Sequence, residues 1–296
     1  MDIDFIGMPL MAGASLSGTD KAPATIRKSG LNTLFINHTL RDIGDVKCDN
    51  SLAPTNLQMK HLESVLYSCN NLHNQVVNSL YNNHFPLIFG GDHSLSWGSI
   101  GGVASVKNDL GVIYIDAHGD FNTKETSNTH NVHGMHMAYL MGLEHLSEND
   151  IKDIPYSENC VDPQNVFFVG SRALDQGEVN FATAQKLKIH SSQDIISQGA
   201  DKVADSIIYT IKSKGIKHVH ISFDVDVIDP AFFPGTGVPE VGGITVSDAK
   251  TLLSNFLTEL PVCSLDFVEY NPLLDDGNKS LACCVDLLRV IDDNLI

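Results

Sequence analysis

The chain has 296 residues, 43% of them hydrophobic, enough to fill the core of one large α/β domain spanning residues 1–296. Its 36 acidic residues against 19 basic ones give a formal net charge of −17, which repels nucleic-acid backbones and acidic membrane surfaces and favours a small cationic partner. No apolar run is long enough to span a bilayer, the first residues lack the pattern of a leader, and the six cysteines follow no paired spacing, so a cytoplasmic protein with reduced thiols is expected.

Residues 1–6 read as a first strand. A small-residue loop over 9–18 follows, and Asp20 is placed to cap a helix that runs through Ile26 and Lys28 and ends at Gly30. After a polar stretch over 45–54, Thr55 opens a long helical pattern with Leu57, Leu62, Val65, Leu66, Leu72, Val76 and Leu80 on or near one stripe. His61, His73 and His84, in or just after it, read as surface histidines. The run Phe85-Pro86-Leu87-Ile88-Phe89 is a buried-type strand that breaks at Gly90-Gly91. No Gly-Lys-Ser/Thr follows, so the glycines make a tight turn into a helix over 94–106 rather than a phosphate loop, and they leave His93 at the sheet edge. Asp92 supports that turn or orients a ligand.

The next strand, over 111–115, ends in Asp116, His118 and Asp120. If it stays extended past Ile115, these three project from one face as a metal-binding edge. The polar loop over 121–132 is a natural place for substrate contacts before a helix begins near His133. A strand over 165–170 leads to Asp175 and Glu178, which are spaced as helix-start acids. A helix over 201–214 and a strand over 218–223 then deliver Asp224 and Asp226, again at alternate positions. A helix over 246–260, a strand over 263–268 and a helix over 279–291 complete the chain. Strands alternating with helices predict a three-layer αβα fold around a mainly parallel sheet, with its site beyond the carboxyl ends of the strands.

A lone Asp-x-Asp is usually a solvated turn or a cap. Here two such motifs and an Asp-His each follow an apolar strand, which points to metal binding by His93, Asp116, His118, Asp120, Asp224 and Asp226. This oxygen-rich, thiol-free set suits manganese. Two metals sharing carboxylates would make hydroxide available near neutral pH, so hydrolysis is the implied reaction.

The motifs Gly90-Gly91-Asp92-His93, Asp116-Ala117-His118-Gly119-Asp120-Phe121-Asn122-Thr123, Asn131-Val132-His133-Gly134-Met135, Ser222-Phe223-Asp224-Val225-Asp226 with Asp229-Pro230, and Val268-Glu269-Tyr270-Asn271-Pro272 resemble the arginase and agmatinase family of ureohydrolases, arginases most closely. They occur in family order over nearly the whole chain. The resemblance implies two manganese ions, one held by His93, Asp116, Asp120 and Asp224, the other by Asp116, His118, Asp224 and Asp226. It further implies attack of a bridging hydroxide on a guanidinium carbon, with Asp120 passing a proton to the leaving amine, His133 exchanging protons with solvent, and Glu269 pairing with the guanidinium. Asn122, Thr129 and Asn131 match the positions that bind an α-carboxylate, and Asp175 and Glu178 those that hold an α-amino group. The implied reaction is hydrolysis of L-arginine to L-ornithine and urea by a homotrimer or homohexamer. Agmatinase, formimidoylglutamase or another guanidino-acid hydrolase is the alternative, and a non-catalytic arginine-binding homologue is a further one. Three departures stand out: Val238 replaces a usual threonine near the guanidinium, and His130 and Val227 each replace a usual glycine.

Overall fold

The computed structural model describes residues 1–51, 56–151, 154–158 and 160–296. Eight strands form one parallel sheet: β1 (Asp2–Met8), β2 (Thr39–Asp45), β3 (Phe85–Gly90), β4 (Leu110–Ile115), β5 (Val166–Ser171), β6 (Lys188–Ser191), β7 (His218–Asp224) and β8 (Val262–Val268). Their spatial order is β2-β1-β3-β8-β7-β4-β5-β6. The interior strands β3, β4 and β5 are buried at every position, as expected of strands covered on both faces. The last two strands of the chain thus lie between its third and fourth.

Helices cover both faces. On one side α1 (Ala22–Lys28), α7 (Ser192–Gln198), α8 (Ala200–Lys214), α9 (Val246–Glu259) and α10 (Lys279–Asn294) pack on Phe5, Phe89, Ile221 and Phe267. On the other, α2 (Leu62–Tyr81), α3 (Ser96–Val106) and α4 (His136–Leu140), with the short α5 (Glu148–Ile151) and α6 (Gln176–Gln185), enclose Ile88, Val112, Tyr114 and Phe168. Trp97 of α3 stacks on Tyr139 of α4 at 5.3 Å between ring centroids and closes this second core. Among the described residues, no helix is long and apolar enough to cross a membrane.

Several sequence expectations need correction. The long second helix starts at Leu62 rather than Thr55; Thr55 itself lies outside the described residues, and Leu57 is exposed. Asp20 makes no cap: α1 begins after a single 3-10 turn, and Asp20 pairs with Lys21 at 2.7 Å. Gly30 does end that helix, with φ 93°. His61, His73 and His84 are half-buried rather than on the surface, and His84 lies 3.1 Å from the buried Asp4. The expected strands missed β2 and β6, the two edges of the sheet. β2 is Thr-Leu-Arg-Asp-Ile-Gly-Asp and mostly exposed, and β6 has only four residues, so neither carries the apolar run that marks an interior strand.

The register sets where the chemistry falls. Ile115 lies opposite Phe223, Phe223 opposite Phe267, and Phe267 opposite Phe89, so β3, β8, β7 and β4 end at one level. The residues at or just past those ends are Gly91 to His93, Glu269, Asp224 to Asp226, and Asp116 to Asp120. Gly91 keeps an ordinary φ; its role is close approach. A Cβ there would overlap the Leu10 carbonyl oxygen, and Asp92 N–H donates to that same oxygen at 3.0 Å. Gly91→Ala is expected to destabilise the protein by about 1–3 kcal/mol, as overpacking does, read as a lower urea midpoint with an unchanged slope. An unchanged midpoint would show that the β1 loop yields freely.

Candidate metal centre and substrate cleft

Neither acidic edge is an extended strand. β4 stops at Ile115, and Asp120 takes φ 55° in the left-handed region; β7 stops at Asp224, and Val225–Val227 forms a 3-10 turn. The carboxylates therefore converge through turns rather than by alternation. Asp116 Oδ1 accepts from His118 N–H at 2.6 Å, and Asp224 Oδ1 accepts from Asp226 N–H at 2.8 Å, so each first aspartate folds its own turn around itself. Asp226 Oδ1 accepts from Ala117 N–H at 3.1 Å and ties the two turns together. Asp92 accepts from Gly13 N–H and Ser94 N–H, fixing the β3 turn as expected.

Two constellations result. The ligand atoms of His93, Asp116 and Asp120 lie within 4.8 Å of one another, as do those of Asp116, His118 and Asp226. Asp116 belongs to both. Asp224 Oδ2 joins the first at 3.0 Å from His93 Nδ1, and His118 Nδ1 lies 3.0 Å from Asp226 Oδ2.

The electrostatics of this cluster ask for cations. Burial, reinforced by Asp226 and Asp116, holds Asp224 well above the usual carboxylate range, and burial with Asp116 pushes Asp120 up to about 7. Burial opposes a charge on His93, but Asp116 and Asp224 override it and hold the imidazole well above its ordinary range. Asp116 Oδ2 is buried without a hydrogen-bond partner, although His93 Nδ1 lies 2.8 Å away. A carboxylate that belongs to two oxygen-and-imidazole donor sets and has one oxygen unpartnered is what a pair of hard divalent cations would satisfy, so the residues fit that group.

Above the cluster lies a cleft of about 460 Å³. Every site residue named from the sequence lines it except Asp116, which is fully buried. Glu269, at φ 63°, turns back so that its Oε1 accepts from His93 N–H at 2.9 Å and lies 3.4 Å from His133 Nδ1. Burial lowers the affinity of His133 for a proton, but Glu269 and Asp120 outweigh it and raise the imidazole to about 9.

At the rim, Asn122 Nδ2 donates to Asp175 Oδ2 at 3.0 Å, and Asn131 N–H donates to Thr129 Oγ1 at 3.2 Å. Asp175 and Glu178 sit where their spacing placed them, at the start of α6. Glu178 accepts from Asp175 N–H at 2.9 Å and from Phe121 N–H at 3.1 Å, so it builds the turn that presents Asp175.

A family model described as the Arginase family matches residues 1–291. The chain belongs to the arginase family. It is 35% identical to the arginase of Bacillus subtilis (strain 168), over 97% of this chain and 96% of that protein. The crystal structure of arginase from Bacillus cereus superposes with a TM-score of 0.90 at 33% identity, covering 99% of this chain and 98% of that one. The structure of Entamoeba histolytica arginase in complex with L-ornithine gives a TM-score of 0.86 at 26% identity, covering 97% and 98%.

Within this family, two of the departures now have a structural account. His130 has φ 60°, so the backbone keeps the conformation a glycine favours, and histidine is among the side chains that tolerate it. Val227 lies in a 3-10 turn that needs no glycine; its side chain fills the space left by Gly170, which itself has φ 95°. Val238 is 37% exposed on the cleft wall.

Sequence reasoning missed several contributors. Glu240 and Ser15 line the cleft, with Ser15 accepting from Asn131 Nδ2. Tyr114 stacks on His93 at 4.6 Å and donates to Asp120 Oδ2 at 2.7 Å, and Ser222 Oγ lies 2.8 Å from His93 Nε2. Tyr114 and Ser222 stand two residues before Asp116 and Asp224. Strand alternation, read backward from each acidic motif instead of forward, puts them on the same face.

Burial of Glu178, assisted by the charges of Asp120 and Asp175, raises its carboxyl from 4.5 to about 8. The folded protein therefore holds a proton that the unfolded chain has released, and this contribution to stability falls as pH rises between those values. Metal-free Glu178→Gln should accordingly lose less stability than metal-free wild type between about pH 5 and about pH 9 in urea denaturation. Equal losses in the two proteins would count against the shift.

Proposed function

We propose that the chain hydrolyses the guanidinium group of L-arginine to L-ornithine and urea, with two manganese ions held by His93, Asp116, Asp120 and Asp224 and by Asp116, His118, Asp224 and Asp226. The observation that carries this reading is the pairing of Asn122 with Asp175 at 3.0 Å, on the rim of the same cleft whose floor is the acidic cluster. An α-carboxylate and an α-ammonium sit on one carbon atom, so their subsites must adjoin. A donor-bearing amide touching a carboxylate provides that pair, and agmatine, which lacks the carboxylate, would leave the donors unused.

Divalent cations in this centre supply Lewis acidity, which makes water a competent nucleophile near neutral pH. Glu269 orients the guanidinium, since a planar cation with several N–H donors is best fixed by a carboxylate. Asp120 accepts a proton from the attacking water and delivers it to the leaving amine as the carbon–nitrogen bond breaks. His133, beside Glu269 at the cleft wall, exchanges protons with solvent. Asn122, Thr129 and Asn131 bind the carboxylate end, and Asp175, presented by Glu178, binds the ammonium. The six free cysteines accord with a cytoplasmic setting, and we propose a homotrimer or homohexamer for the assembly.

Urea release by manganese-loaded protein tests this directly. Arginine should exceed agmatine in kcat/KM by about 10²–10⁴-fold, because a site built to hydrogen-bond a group rejects analogues that lack it. Equal use of agmatine would overturn arginine as the substrate while leaving the hydrolase standing. Asp224→Ala should abolish turnover and release metal, measured by elemental analysis. Retention of both ions with near-normal activity would refute the shared-ligand assignment. Val238→Thr restores a hydroxyl on the wall and should raise kcat/KM for arginine by about tenfold at most, the worth of one net hydrogen bond. A clear loss would show that the valine belongs to a differently packed wall.

A further inference from the structure

Behind the metal centre lies a second buried polar cluster that the proposed chemistry leaves unused. Asp266 on β8 is fully buried and lies in register with Ser222 on β7. Its Oδ2 accepts from Ser99 Oγ at 2.6 Å and Ser96 Oγ at 2.7 Å and lies 3.1 Å from His220 Nε2, while its Oδ1 has no partner. Burial works against its charge, yet His220, Ser99 and Ser96 hold its carboxyl below the usual range. A buried carboxylate is a poor way to stabilise a core, since apolar residues of similar volume usually serve as well or better.

The direction of the hydrogen bonds follows from the number of hydrogens each group owns. A carboxylate only accepts, so Ser96 commits its single hydroxyl hydrogen to Asp266. Ser96 Oγ, 3.1 Å from Ser222 Oγ, is then left as an acceptor, and the Ser222 hydrogen points toward it. Asp266 Oδ2, a carboxylate oxygen 3.4 Å from Ser222 Oγ, draws that hydrogen the same way, away from His93 Nε2. Ser222 Oγ therefore presents a lone pair to His93 Nε2 at 2.8 Å, and His93 keeps a hydrogen on that nitrogen. His93 Nδ1, 2.8 Å from Asp116 Oδ2 and 3.0 Å from Asp224 Oδ2, faces the acidic cluster.

We propose that Asp266 is a positioning residue for the metal centre: through Ser96 and Ser222 it determines which nitrogen of His93 carries the hydrogen, and so presents Nδ1 as a ligand to a divalent cation. The proposal rests on reading the cleft floor as a metal centre. Partners that orient a ligating histidine typically contribute 10–100-fold in metal affinity. Ser99 touches the same carboxylate but stands outside the path to His93, which supplies an internal control.

The experiment is calorimetric titration of manganese into metal-stripped wild type, Ser96→Ala, Ser99→Ala and Asp266→Ala, with the melting temperature of each metal-free protein measured alongside. Ser96→Ala should bind about tenfold more weakly and Asp266→Ala about 10–100-fold more weakly, while Ser99→Ala binds like wild type even if its melting temperature falls as far. Should Asp266→Ala fail to fold, the Ser96 and Ser99 comparison decides alone. Equal weakening in Ser96→Ala and Ser99→Ala would make the cluster a matter of packing and overturn the proposal, as would wild-type affinity in Ser96→Ala. Wild type that takes up no manganese would instead overturn the metal centre itself, and the proposal with it.

Discussion

Four carboxylates, Asp116, Asp120, Asp224 and Asp226, are forced together at the carboxyl edge of a parallel sheet, each at most 8% exposed. Water cannot screen them there, and unpaired charges in a low dielectric are among the costliest arrangements a fold can hold. Protons are a partial answer: His93 and His118 are driven to hold theirs, and Asp224 and Asp120 are driven to take one. Two divalent cations answer the same repulsion more completely. On this view the rest of the sheet exists to keep the four carboxylates from relaxing apart, which the alignment of the ends of β3, β8, β7 and β4 and the turn-closing bonds of Asp116 and Asp224 accomplish.

That constraint explains what could be read from the residues alone. Interior strands such as Leu110–Ile115 and Val166–Ser171 must be apolar on both faces, so they stand out as runs. The residues that end such runs in a metal edge stand out equally, because charge straight after a buried strand is rare without a function. Edge strands carry no such mark. Arg41 and Asp42 on β2 keep the sheet border from pairing with another chain, and the same charges hide the strand from a search for apolar periodicity. Extended alternation was the wrong geometry for the acidic motifs, although the residues it named do cluster. What converges them is the side-chain-to-backbone bonding of aspartate, a property of residue type rather than of period.

The loop over 121–132 stood out by its place after an acidic edge, but the individual residues of the rim were named only through family resemblance. Asp175 and Glu178 look like the start of a helix, and they are the start of a helix; Glu178 serves that turn with both oxygens. The bonds that cap α6 also hold Asp175 against Asn122 on the cleft wall. No spacing rule separates a cap from a cleft-lining pair when the same two side chains do both.

Three of the eight non-glycine residues with positive φ among the described residues lie at or beside the cleft. Asp120, His130 and Glu269 all adopt φ between 55° and 63°, a region that non-glycine residues enter at a cost of order 1–3 kcal/mol. One lies in the acidic cluster, one in the loop between Asn122 and Asn131, and one beside His133. Neighbouring structure compensates each: Met137 N–H donates to Asp120 O at 2.9 Å, Lys60 N–H to His130 O at 2.8 Å, and Glu269 N–H to Gly91 O at 2.9 Å. Each strained residue is therefore pinned by a bond to a different element, whether α4, the chain before α2 or the β3 turn. A side chain aimed by such a backbone cannot swing away without breaking that bond, so the strain and the pinning together keep the cleft in one shape before any ligand arrives.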